Sequence, residues 1–158
     1  MKIRIASISD VKIINSIIIQ ANTPIALKYN IDGDNGKSHP SNCKESWIIE
    51  NINNSVSYFI CYIDQNPVGV VASKLKLETI TMKHLAVLPD FWGKGIGTQL
   101  VFHIIKYGKT LGAKSINLGV ISCNLKLQDW YNHLGFTLYR SKNIKGLPYK
   151  VSFMKMTL

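Results

Sequence analysis

The stretch Leu85-Ala86-Val87-Leu88-Pro89-Asp90-Phe91-Trp92-Gly93-Lys94-Gly95-Ile96-Gly97-Thr98 decides how the 158-residue sequence folds. It passes from an apolar run to a proline, then to a glycine-rich turn and the first turn of an amphipathic helix. Pro89 removes a ladder donor and stops strand pairing. Glycines at 93, 95 and 97 let the backbone turn tightly and bring successive N–H groups against one anion, while the helix N-terminus adds partial positive charge. A pyrophosphate is the natural guest of such a loop, and Lys94 is placed to add a countercharge. The spacing excludes other phosphate loops. A G-x-G-x-x-G dinucleotide fingerprint needs glycine where Thr98 stands and an acid about twenty residues later, where Lys114 and Asn117 stand. The G-x-x-x-x-G-K-[ST] loop and the downstream acidic motifs of a kinase are both absent.

Working outward, Thr79 to Val87 reads as a strand, preceded by a hairpin of Tyr58–Ile63 and Val68–Leu75 around the turn Asp64-Gln65-Asn66-Pro67. Upstream, Lys2 to Ala6 reads as a strand, and Ser7 with Asp10 forms a capping pair for a helix. The apolar stripe of that helix is Val11, Ile13, Ile14, Ile17 and Ile18. Tyr29 to Asn42 is polar and glycine-bearing, a loop. Asn42 with Glu45 reads as a second capping pair, opening a helix through Trp47, Ile48 and Ile49. Downstream, Leu100, Val101, Ile104 and Ile105 mark a helix ending near Gly112, followed by a strand from Ser115 to Val120. A helix from Leu125 to Leu134, stopped by Gly135, precedes strands Phe136–Arg140 and Tyr149–Met156. The order βααβββαβαββ predicts one domain over 1–158, an α/β sandwich around a mixed sheet.

Composition narrows the function. No run approaches the roughly 20 apolar residues of a membrane span, and the start alternates like a strand, so a soluble, cytoplasmic protein is expected. Cys43, Cys61 and Cys123 form neither a disulfide framework nor a zinc ligand set, and His39 with Cys43 lacks a second ligand pair, so no metal is expected. The formal charge of +10 suits an anionic cofactor. Scattered lysines without arginine–aromatic interleaving argue against nucleic acid.

The glycine loop resembles that of the GNAT superfamily of N-acetyltransferases, whose motif reads Gln/Arg-x-x-Gly-x-Gly/Ala. Gly95-Ile96-Gly97 matches it, with Trp92 where the glutamine or arginine usually stands. Arg4-Ile5-Ala6 with Asp10, the Asp64-to-Gly69 turn, Asn124 and Tyr131-Asn132-His133-Leu134-Gly135-Phe136 are similar to further family signatures in the right order. The resemblance implies a mixed, mostly antiparallel sheet flanked by helices on both faces, and acetyl-coenzyme A as cofactor. It implies that Leu85, Ala86 and Val87 hold the pantetheine arm, that the segment Trp92, Gly93, Lys94, Gly95, Ile96, Gly97 and Thr98 holds the pyrophosphate, and that Asn124 and Tyr131 lie along the arm and near its sulfur.

Acetyl transfer needs a neutral amine, an oxyanion donor and a proton source for the departing thiolate. Tyr131 suits the last role, the alternative being a helix tyrosine packed beside Trp130 and Phe136. The Val87 N–H is the oxyanion donor that the resemblance implies. No carboxylate occupies the usual base position near Thr81. His84 and Glu78 are the candidate bases, against plainer roles as a strand histidine and an exposed hairpin acid. The acceptor is a small-molecule or peptide amine, and the reading is compatible with a homodimer. The rival reading is an idle acyl-coenzyme-A sensor or interaction domain.

Overall fold

Ser7 and Asp10 open the first helix as their spacing predicts, the Ser7 N–H donating to the Asp10 carboxylate at 2.8 Å. In the computed structural model, which describes residues 1–158, a 3₁₀ turn at Ile8–Asp10 leads into α1 (Val11–Lys28). Arg4, on β1 (Lys2–Ile5), pairs with Asp10 at 2.7 Å and ties strand to helix. The second capping pair does not form. α2 (Glu45–Asn53) starts after Lys44, with no side-chain cap. Asn42 is held in a preceding 3₁₀ turn, and its amide donates to the carbonyls of Asp32 and Gly36, bracing the long loop instead.

β2 (Ser57–Ile63) and β3 (Asn66–Lys76) form the expected hairpin, turned at Asp64 and Gln65, both at positive φ. β4 (Thr79–Val87) follows, then α3 (Ile96–Thr110), β5 (Ser115–Ile121), α4 (Leu125–His133), β6 (Thr137–Asn143) and β7 (Lys150–Thr157). β6 starts one residue later than expected because Phe136 is buried in the core rather than paired. It also runs three residues further, as an edge strand that is exposed throughout and therefore lacks an alternating signature.

The sheet order is β1-β2-β3-β4-β5-β7-β6. Only the β4–β5 pair is parallel. On one face α3 and α4 bury Leu100, Ile104 and Tyr131 against Ile80, Ile116, Leu118 and Met154. On the other, α1 and α2 bury Ile14, Ile18 and Ile48 against Tyr58, Ile60 and Val70. Removing this apolar surface from water, at roughly 25 cal/mol per Å², drives the assembly. The fold is the mixed, mostly antiparallel sheet with helices on both faces that the sequence predicts.

Candidate active site

Pairing between β4 and β5 stops at Thr81–Asn117, although both strands run on. The cause lies in β4, whose register against β3 slips between Val70 and Ala72, where His84 sits at φ +50°. A bulge bends its strand and increases its twist. β4 therefore turns away from β5 and opens a cleft of about 780 Å³.

On the β4 wall, the Leu88 N–H donates to the Val68 C=O at 2.9 Å. Gly69 and Val87 are consequently a pair that does not bond directly, and Val87 turns its own N–H and C=O away from β3 toward the cleft. The Trp92 indole N–H meets that C=O at 2.6 Å, which leaves the N–H as the free group. Trp92 thus braces the glycine loop against the strand end, with a tryptophan where a glutamine or arginine is usual.

At the loop itself, no backbone N–H from Gly93 to Thr98 meets a protein acceptor, and the first bond of α3 runs from Gln99 N–H to Gly95 C=O. Gly93 and Gly95 hold φ of +73° and +76°, with open space where a Cβ would stand. At Gly97 a Cβ would stand in ordinary van der Waals contact with the Trp130 ring, 3.5 Å away, so the first turn of α3 lies beside α4. Successive unpaired amides at a helix N-terminus form an anion site. The Lys94 ammonium lies 4.8 Å from the Phe91 ring centre.

From α4 comes Tyr131, packed edge-on between Trp130 and Phe136 at 4.7 and 5.5 Å. Its hydroxyl bonds no protein group and is not sealed off, so it opens to the cleft that Tyr131 lines. Burial raises the phenol above its ordinary pKa and keeps its proton on. Asn124 lines the same wall and caps α4, its Oδ1 accepting from the Leu127 N–H at 3.3 Å.

His84 lines the opposite wall with its Nδ1 2.9 Å from the Tyr58 hydroxyl, which also accepts from the Asn51 amide at 3.1 Å. Burial, with a smaller contribution from Lys83, pushes His84 down to about 4. It is neutral at pH 7, with Nε2 open to the cleft. Glu78 is removed as a candidate. It sits in the β3–β4 turn, paired with Lys114 at 2.6 Å, and does not line the cleft. The first β4 residue that does is Met82, roughly 13 Å further along at 3.3 Å per residue.

The sequence reading overlooked His39 as a cleft residue. It is 2 % exposed, reaches the cleft from the α1–α2 loop, and its Nδ1 accepts from the Ser41 N–H at 3.2 Å. That bond puts the proton on Nε2 and makes His39 a donor rather than a base. No sequence signal marks it, because only the loop's folding brings it inward. No Asp or Glu lines the cleft; Lys83 is its one lysine.

The acetyltransferase (GNAT) family profile matches residues 26–136. The chain belongs to that family. An uncharacterized N-acetyltransferase of Methanocaldococcus jannaschii is 35% identical over 86 residues, a match spanning 50% of this chain but only 38% of that relative. Among solved structures, the ribosomal-protein-S18-alanine N-acetyltransferase of Escherichia coli superposes with a TM-score of 0.80 at 18% identity, over 99% of this chain and 92% of that one. The PaiA N-acetyltransferase of Thermoplasma acidophilum, in complex with coenzyme A, gives 0.80 at 17% identity over 100% of both chains. At such identities the superpositions speak for the GNAT fold alone. No helix of the chain is long and apolar enough to cross a membrane.

Proposed function

We propose that residues 1–158 act as one acetyl-coenzyme-A-dependent N-acetyltransferase domain, working in the cytoplasm by direct attack of an amine in a ternary complex. The observation that carries this reading is the run of unpaired backbone amides from Gly93 to Thr98 opening into the cleft between β4 and β5. These amides would take the diphosphate, and the free Val87 N–H, with Leu85 and Ala86 beside it, would lie along the arm. Bound there, acetyl-coenzyme A supplies a thioester whose carbonyl carbon gains the amine nitrogen as its C–S bond breaks.

Each residue then has a task. The Val87 N–H polarises the carbonyl oxygen. Tyr131 gives its phenolic proton to the departing sulfur. In the tautomer whose Nδ1–H donates to the Tyr58 oxygen, His84 presents the Nε2 lone pair to the cleft. A histidine held near 4 does not deprotonate an alkylammonium with a pKa near 8 to 10. It receives the proton that the nitrogen sheds once the C–N bond forms and the nitrogen becomes strongly acidic. The acceptor must therefore arrive neutral, which favours a peptide α-amine, with a pKa of about 8, over a lysine side chain at about 10.4.

Calorimetry with acetyl-coenzyme A, coupled to free-thiol detection across an amine panel, tests the reading. Binding with thiol release is expected. Unchanged heats at millimolar cofactor would remove it. The cleft's lack of any carboxylate favours a second reading, a catalytically idle acyl-coenzyme-A sensor. Tight binding with no thiol release from any amine would decide for the sensor.

A further inference from the structure

We infer that the acceptor is an acidic polypeptide segment whose amine enters the cleft while its carboxylates lie across the uncovered face of β5, β7 and β6. The inference rests on the acetyltransferase reading above and specifies its substrate class.

The helices α1 and α2 cover the β1–β4 half of one sheet face and leave the other half bare. Register identifies what that bare face carries. Asn117 pairs with Lys155, Gly119 with Phe153, and Ile121 with Val151. Arg140 pairs with Phe153, and Lys142 with Val151. Residues directly opposite share a face, so Lys155, Arg140 and Lys142 stand together, and all three are exposed. Lys83, paired with Ala72, adds a fourth exposed cation at the cleft edge of the same face. From Trp130 to Leu158 the chain has no acidic residue. Asp32, in the α1–α2 loop, folds its carboxylate back onto the N–H groups of Asp34 and Asn35.

The face is continuous with the cleft. Gly119 is exposed, lines the cleft, and sits where a Cβ would come within 2.9 Å of Val151. Gly119 lines the cleft together with His84 and Val151, and its register partner on β7 is Phe153. Lys142, opposite Val151, lies four residues along the sheet from Lys155, roughly 13 Å at 3.3 Å per residue, too far for one small anion to meet all the cations. The aromatic rings are already taken: the Arg140 guanidinium lies 4.8 Å from the Phe153 ring centre and 5.6 Å from that of Tyr139, and Lys142 lies 5.6 Å from Phe153. Rings so covered do not offer stacking platforms to nucleic-acid bases. The Arg140 side chain makes no hydrogen bond or ion pair with the protein, so its N–H groups are free for a carboxylate.

The test uses peptides with a common N-terminal dipeptide followed by acidic, neutral or basic residues, together with a small neutral amine. The acidic peptide should exceed the neutral one about ten-fold in kcat/KM, three cations each adding a modest surface attraction, and the gap should close in high salt. The Arg140→Glu/Lys142→Glu/Lys155→Glu variant should reverse the order while keeping coenzyme A affinity and turnover of the small amine. Arg140→Gln alone should reduce the preference about two-fold. Fluorescence anisotropy of the labelled acidic peptide gives the same comparison without turnover, so it stands even if no amine is acetylated. Equal affinity and equal kcat/KM for acidic and neutral peptides would overturn the inference. So would a variant that loses binding of labelled single-stranded RNA while its peptide ranking stays that of the parent, which would make the face a nucleic-acid surface.

Discussion

His84 combines a left-handed backbone, a hydrogen bond to Tyr58 and a depressed pKa, and each has a measurable consequence. His84→Asn tolerates positive φ and removes the lone pair. It should lower kcat about 100-fold, the low end for a positioned base, without moving the alkaline rise of the pH profile, which belongs to the acceptor amine. A shifted midpoint would show that His84 itself titrates in that rise. Stability carries a second signature. The unfolded histidine titrates near 6.5 and the folded one near 4, so the unfolded state binds more protons between them. The neutral-histidine contribution is whole above about 6.5 and lost as pH falls toward 4. Between pH 7.5 and 4.5 the parent should lose about 2 kcal/mol more than His84→Asn in urea unfolding. Tyr131→Phe should lower turnover about 10- to 100-fold and leave the Kd for acetyl-coenzyme A nearly unchanged, since the hydroxyl holds nothing in the resting protein. Tyr131 and Asn124 are legible from their spacing before Gly135, which resembles the family's. His39 is not, because a loop histidine looks the same in sequence whether it faces solvent or a cleft.

At the scale of elements, the glycine loop and α3 depend on backbone that only glycine adopts cheaply. Gly95→Ala places a Cβ at φ +76°, a strain of about 1–2 kcal/mol. The amides should then re-aim, weakening acetyl-coenzyme A at least ten-fold by calorimetry while the circular dichroism spectrum is kept. The start of α1 depends on charge instead. The Arg4 guanidinium and the Ser7 N–H hold Asp10 well below the usual carboxylate range. A depressed carboxylate stabilises above its unfolded pKa, near 3.9, and the gain fades as pH falls through the folded value. Asp10→Asn should cost about 1–2 kcal/mol at pH 7, a cost that shrinks below pH 4. Turn and cap chemistry made most elements readable. β6 reads from the sequence as Phe136–Arg140, and its last three residues are missed because an edge strand with every side chain exposed leaves no period to mark its end; Asn42 misled because its amide found loop carbonyls before any helix N-terminus.

Across the whole molecule, one ligand should bridge both core layers, since the cleft is walled by β4, β5, α3 and α4 and roofed by the α1–α2 loop. Binding to the folded state alone stabilises by about 2.7 kcal/mol at a hundred times Kd, or roughly 5–11 °C in Tm for a chain of this size. Thermal shift with acetyl-coenzyme A should show that rise, and Gly95→Ala should need a higher concentration to reach it.

From the order of apolar periods, prolines and glycines alone came the α/β class, the strand that feeds the loop and the glycine-rich helix start, because these are local properties of a few adjacent residues. The tertiary structure alone decided that Glu78 stands at the wrong end of β4, that Lys94 turns to Phe91, that His39 enters the cleft and that the basic residues of β6 and β7 share one bare face. Those outcomes depend on register, twist and loop docking, which bring together residues far apart in the chain.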